Sequence, residues 1–368
     1  MIPIYKPYFT EENLRYAHQV ISSGWVSSQG EFLDRAKNEL KRLINCKYLI
    51  LTNNGTTATH LLSIALKFKY PNIKKIIVPN NVYVAAYNSF LYDKNYELIP
   101  IDSDLNTWNF DESQIEHNLD SETAILVVHN IGNVVNVPKL KEKFPNTVIL
   151  EDNCEGFLGK YESKFTGTES LASSISFFGN KTITSGEGGA FITNDYEVFE
   201  YINTTKNQGQ SEIKFIHNQL GYNYRMTNVQ AAILFGQIQD LEYIQKRKKH
   251  VFNQYKSNLS NVDGIYFQTP SIGTEHSNWM FGIRFYNMSS QEKKMMELYL
   301  FESGIDTRPM FYEINKHHHL SNIECETSNS SILQSQCLIL PSFPDLTDGQ
   351  ITYICEKIKK FLKNKIKL

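Results

Sequence analysis

The sequence predicts an α/β protein: a mainly parallel sheet between helices, followed by a smaller α+β region. Three observations lead there. Short apolar runs alternate with helical stretches between residues 48 and 150, and polar, glycine-bearing or acidic turns stand at the carboxyl ends of those runs. The alternation then stops near residue 241, where a long charged helix begins. Short strands that are apolar throughout and separated by helices belong to parallel sheets covered on both faces.

Taken in order, residues 11–22 and 31–44 are predicted as helices. Phe32, Leu33, Ala36, Leu40 and Leu43 give the second an apolar stripe at helical spacing. Strands are predicted over 48–51, 75–78, 97–101, 123–128 and 147–150, with helices over 57–67 and 84–92 among them. An apolar strand then runs into Gly179-Asn180-Lys181, and a further strand, AFIT (190–193), follows a Thr/Ser/Gly-rich turn. After a helix over 227–241, the stretch EYIQKRKKHVFNQYKSNLS (242–260) reads as a connecting helix whose charges form a solvated face. A strand over 280–285 and helices near 290–303 and 348–364 complete the chain. The expected division is a large domain, 1–241, and a smaller one, 242–368.

The composition narrows the function. At 368 residues and 41% hydrophobic content the chain can bury a substantial core. A formal net charge of −2 offers no basic excess for nucleic acid or anionic membranes. The five cysteines are scattered, odd in number and without a CxxC pair, which argues against a disulfide framework or zinc site and for a reducing compartment. His317, His318 and His319 are consecutive and do not converge on one ion; they read as a polar loop, and no metal is expected. The start, MIPIYKPYFTEEN, lacks the pattern of a signal peptide, and no apolar run approaches the ~20 residues of a membrane span. A soluble, cytoplasmic protein is the expectation.

Four motifs carry chemistry, each at a place where parallel α/β sheets gather ligands. In TNNGTTATHLL (52–62) a strand runs through Asn53, Asn54 and Gly55 into a helix near Thr56; such a start binds phosphate, although an ordinary cap uses the same residues. In TVILEDNCEG (147–156) acidic residues follow a strand directly, placed to hold a protonated ring nitrogen or merely to cap a helix. In SISFFGNKTITSGEGGAFITND (174–195) the single Lys181 stands among small residues between two apolar strands. Desolvation there makes a lysine amine nucleophilic, as Schiff-base chemistry requires, whereas a plain hairpin would leave it on the surface. Gly186, Gly188 and Gly189 suit a loop closing on a flat cofactor. In LGYNYRMTNVQAAI (220–233) an aromatic and amide-rich turn opens a helix; either Asn223 meets a ligand, or the turn is a plain cap, by Thr227 or Asn228 or by Asn223 itself, with Tyr222 and Tyr224 in the core.

These motifs, in this order, resemble the DegT/DnrJ/EryC1/StrS sugar aminotransferases, fold-type I pyridoxal-phosphate (PLP) enzymes related to aspartate aminotransferase. SFFGNKTITSGEGG with GYNYRMTNVQAAI is most similar to the perosamine synthase-like branch that aminates the 4-position. IPIYKPYF, SSGWVSSQGEFLDRAKNEL and VVHNIGNVVNVPKL extend the resemblance through the first two thirds, and GIDTRPMF (304–311) and LILPSFPDLTD (338–348) carry it beyond. The resemblance implies that Lys181 bears the cofactor and that Asp152 keeps its pyridine nitrogen protonated. It implies that Tyr83 stacks on the ring, that Glu155 stands near its 3-oxygen, and that Gly55, Thr56 and Ser176 contact the phosphate. It also implies that Asn223 reaches the phosphate of a neighbouring subunit, in a homodimer with shared active sites. The implied substrates are L-glutamate and a nucleotide-linked 4-keto-6-deoxyhexose. A 3-keto-sugar aminotransferase and a non-catalytic PLP-binding regulator are the alternatives; the family's sugar dehydratases lack the lysine. The chain departs from many members at Asn153-Cys154, at Gly156-Phe157 and in FYEINKHHH (311–319), which bears on substrate contacts.

Overall fold

The structure, a computed structural model, describes residues 1–365. Its main sheet is built from β1 (Tyr48–Thr52), β2 (Lys75–Pro79), β3 (Glu97–Ile101), β4 (Thr123–Val128) and β5 (Ile149–Asp152). A small hairpin follows, β6 (Lys160–Tyr161) and β7 (Lys164–Phe165), before β8 (Ala172–Ser176) and β9 (Gly189–Thr193). The seven strands β1-β9-β8-β5-β4-β2-β3 lie side by side in that order. The pairs β2/β3, β2/β4, β4/β5 and β5/β8 are parallel, and β9 runs antiparallel between β1 and β8. The predicted mainly parallel α/β sheet is therefore what the chain forms, with β9 as its one reversed strand.

Each face of the sheet has its own core. Ile50, Val78, Leu126 and Leu150 pack with Leu61, Leu62 and Leu66 of the helix Gly55–Lys69. Ile77, Ile125, Val127 and Ile149 pack on the other face with Val137 and Leu140. Neighbours along a strand point to opposite faces, so both faces of these strands are apolar and read as continuous hydrophobic runs.

Beyond the sheet, β10 (Ile265–Tyr266), β12 (Phe281–Phe285), β14 (Cys337–Leu340) and β13 (Arg308–Pro309) form a second, antiparallel sheet, while β11 (Thr274–Glu275) joins β6. The helix Leu241–Leu259 links the two regions. Its Leu241 and Ile244 join the first region's core, and its Val251, Phe252, Tyr255 and Leu259 join the second's. The N-terminal segment, expected with the large region, reaches across: Ile2 bridges Ile305, and the Ser342 N–H donates to the carbonyl of Ile4. This crossing brings Tyr5 to the main sheet's functional edge.

Candidate active site

The carboxyl ends of β1, β2, β4, β5 and β8 share one edge of the sheet, and a cavity of about 910 Å³ opens there. Seven of the eight residues singled out in the sequence line it: Gly55, Thr56, Tyr83, Asp152, Glu155, Ser176 and Lys181. Asn223 does not.

Gly55 opens its helix, and the Asn54 side chain caps it by accepting the Thr57 N–H at 2.9 Å. The N–H groups of Gly55 and Thr56 precede the first helical acceptor and are available to an anion. A Cβ on Gly55 would stand 2.5 Å from that of Ser176, so only glycine lets the helix start this close to the end of β8.

On β5, alternation separates two neighbouring carboxylates. Glu151 is fully buried on the far face, where it accepts from His129 Nε2 (3.1 Å) and the Gly167 N–H (2.9 Å), with the Tyr161 hydroxyl at 3.4 Å. Asp152 lies on the cavity side, with Oδ1 accepting the Cys154 N–H at 3.1 Å. Glu155 is 5% exposed, and its Oε2 accepts the N–H of Ile131 at 2.8 Å. That bond helps to hold Ile131, a β-branched residue, at φ +57°. Burial pushes the Glu155 carboxyl up to about 7, against the nearby charge of Lys181 and the Ile131 bond.

β8 ends at Ser176, earlier than the apolar run suggests, so Lys181 stands on the loop to β9. Although β8 and β9 pair as a hairpin, the lysine is not a surface charge. Its carbonyl accepts the Tyr5 hydroxyl at 2.7 Å, the Asn180 carbonyl accepts the Trp279 indole N–H at 2.8 Å, and its Nζ lies 4.0 Å from the Trp279 ring centroid.

The matches to known proteins span the chain. The model of the DegT/DnrJ/EryC1/StrS aminotransferase family matches residues 7–359. The GDP-perosamine synthase of Escherichia coli O157:H7 is 33% identical over 368 residues, covering 99% of each chain. The GDP-perosamine synthase of Vibrio cholerae is 30% identical, covering 98% of this chain and 99% of its own. The chain belongs to the DegT/DnrJ/EryC1/StrS aminotransferase family. Among solved structures, the Escherichia coli GDP-4-keto-6-deoxy-D-mannose-3-dehydratase with bound hydrated PLP shares the fold, at a TM-score of 0.90 and 22% identity over 97% of this chain and 99% of its own. The chain is thus a PLP-dependent sugar aminotransferase of the fold-type I class.

The residues present fit that cofactor. A helix start freed by glycine, a carboxylate and a lysine converge on one cavity large enough for a small ligand. Asp152 Oδ1 accepts the Cys154 N–H, and its carboxylate lies on the cavity wall where it can meet a protonated ring nitrogen. Tyr83 is 59% exposed at the mouth, 6.1 Å from the ring of Phe311.

Several expectations are corrected. Gly186, Gly188 and Gly189 do not line the cavity; a Cβ on Gly189 would meet the carbonyl of Asn54 at 2.4 Å, so this glycine serves the approach of β9 to the helix-start loop. The chain's departure from many family members at Gly156 matches its surroundings, since a Cβ there would stand 2.3 Å from the His129 ring. Asn223 does not cap the helix Asn228–Gln239: Thr227 does, in a reciprocal pair with Gln230. The histidine run is more than a polar loop, because His317 lines the cavity while His319 bonds Asn88 at 2.8 Å. Sequence reasoning missed Tyr5 and Trp279 altogether. Tyr5 lay inside the family-like opening, and no signal pointed to Trp279.

Glu155 supplies a pH prediction. Its folded-state pKa of about 7 lies above the ordinary 4.5, so the native protein binds more protons than the unfolded chain between those values. Its contribution to stability is present below pH ~4.5 and is lost as pH rises through about 7. Glu155→Gln, which can still accept from Ile131, is expected to gain about 1–3 kcal/mol over wild type on going from pH 4.5 to pH 8. Thermal melts of the cofactor-free protein across that range check this; parallel curves for the two proteins would refute it.

Proposed function

We propose that the protein transfers the amino group of L-glutamate to C4 of a nucleotide-linked 4-keto-6-deoxyhexose, giving a 4-amino-4,6-dideoxyhexose. The observation that carries the reading is the meeting of Lys181 and Asp152 in one cavity beside the Gly55 helix start. The GDP-perosamine synthase relatives support the 4-position and make GDP the first nucleotide to test. A lysine at position 181 disfavours dehydration.

When bound, PLP supplies an electron sink for carbanion chemistry. This chain's residues do the rest. Asp152 would hold a proton on the ring nitrogen by its charge. Gly55, Thr56 and Ser176 would hold the phosphate, Tyr83 would pack on the ring, and Glu155 would stand by the 3-oxygen. Lys181 would hold the cofactor through its amine and would serve as the general acid and base that moves a proton. The large domain at 1–241 would carry this machinery, and 242–368 would close it from above through Trp279 and Arg308.

The test is incubation with glutamate, PLP and a panel of nucleotide-linked 4-keto-6-deoxy sugars. Mass spectrometry identifies the aminated sugar and NMR the carbon bearing nitrogen. Amination at C3 only would favour the 3-keto reading, and absence of any aminated sugar would defeat both.

The same reading makes the enzyme a homodimer in which Asn223 serves the neighbouring subunit's phosphate. Asn223 is exposed, outside its own cavity and free of capping duty, and its side chain accepts from Arg225 Nε at 3.1 Å. The loop before it exposes Phe215 (80%) and Leu220 (86%), apolar surface that suits an interface. Mixing inactive Lys181→Ala chains with chains inactivated at Asn223 and allowing exchange should restore up to about a quarter of wild-type activity, because random pairing makes half the dimers mixed and each carries one intact site. A mixture that stays inactive would place Asn223 in cis.

A further inference from the structure

We propose that the indole face of Trp279 is a seat for the ε-ammonium of Lys181, holding that charged amine inside the cavity whenever it is not covalently engaged. The inference deepens the reading above and rests on Lys181 being the cofactor-bearing lysine. It starts from a contact: Lys181 Nζ lies 4.0 Å from the ring centroid of Trp279. A cation over an indole face is held by the ring quadrupole, and most strongly where water is scarce. Trp279 is 6% exposed.

The ring is fixed from both ends. Its N–H is tied to the Asn180 carbonyl at 2.8 Å, next to the lysine it serves. Its own carbonyl accepts from Lys248 Nζ at 2.6 Å. Lys248 is fully buried, also donates to the Ser342 carbonyl, and lies 4.9 Å from the Tyr5 ring. Tyr5 in turn donates to the Lys181 carbonyl. Two consecutive carbonyls, at 180 and 181, are thereby held by the side chains of Trp279 and Tyr5. The Lys181 amine rests on a ring whose N–H is tied to the neighbouring carbonyl.

A seat for the charged amine has a use in amino transfer. A lysine that has taken a proton must keep it until delivery, and a long flexible side chain otherwise spreads over many rotamers. The charged and titratable groups on the amine's cavity are Asp152, Cys154 and Glu155, with Glu187, Arg308, His317, Tyr5, Tyr83 and Tyr312 on the same wall. All stay in place when only the ring is changed.

The experiment labels Lys181 in the full-length chain freed of cofactor. Acetic anhydride reacts with free amines and not with ammonium, and the rate at Lys181 is read by peptide mass spectrometry. At neutral pH, Trp279→Leu is expected to speed labelling about 2- to 30-fold, the span of a cation–π contact. Trp279→Phe, which keeps an aromatic face but loses the indole N–H, is expected to label at a rate between wild type and Trp279→Leu. In strongly alkaline buffer, where amines are free, all three proteins should react alike. Unchanged labelling in Trp279→Leu overturns the seat. So does a Phe variant that labels as fast as the Leu variant, or a speed-up that persists in alkali, since either marks a purely structural role. Borohydride fixation of added PLP to the wild-type chain tests the underlying reading separately. Fixation away from Lys181 removes that reading and the seat's catalytic meaning, whereas fixation at Lys181 leaves the labelling result to decide the seat alone.

Discussion

Lys181→Ala is expected to abolish amino transfer and the absorbance of the covalently bound cofactor. Lys181 is the one lysine among the described residues lining the cavity, so no neighbouring amine can take its place. Losing general acid–base catalysis alone costs about 10²–10⁴-fold, and losing the covalent site adds to that. The variant should stay folded, because the lysine's main tertiary bonds run through its carbonyl and the adjacent one, which alanine keeps. Absorbance spectra with added PLP and a product assay check it. Turnover close to wild type would remove the assignment.

Asp152→Asn is expected to bind PLP yet transfer amino groups two to three orders of magnitude more slowly, about the cost of losing a preorganised electrostatic partner. The variant keeps an oxygen for the Cys154 N–H, so the loop should hold its shape. What it loses is the charge that keeps a ring nitrogen protonated. Stopped-flow rates for the reaction with glutamate decide it. The adjacent Glu151 cannot stand in for Asp152, because its carboxylate is enclosed by His129, Gly167 and Tyr161 on the other face of β5. An unchanged rate would instead direct attention to Glu155 or Glu187, both on the cavity wall.

The sequence by itself determined the elements and the local chemistry. The strands 97–101 and 123–128 and the helix 31–44 form where periodicity places them. Residues at strand ends, namely Gly55, Asp152 and Ser176, converge because parallel strands put their carboxyl ends on one edge, a consequence of local pattern plus sheet rules. Lys181 was legible because a charge between apolar strands conflicts with its surroundings. Only the tertiary structure separated Glu151 from Asp152 by function, since adjacent acids look alike until the strand's two faces meet different partners. It decided between the cap candidates Thr227, Asn228 and Asn223 in favour of Thr227. It also brought Tyr5 and Trp279 to Lys181 from 176 and 98 residues away along the chain. Helix and strand signals arise from neighbours within a few residues and leave a periodic trace. A contact across such separations leaves none, because it exists only once the N-terminal segment, the connecting helix and the second sheet have packed against the main sheet's edge.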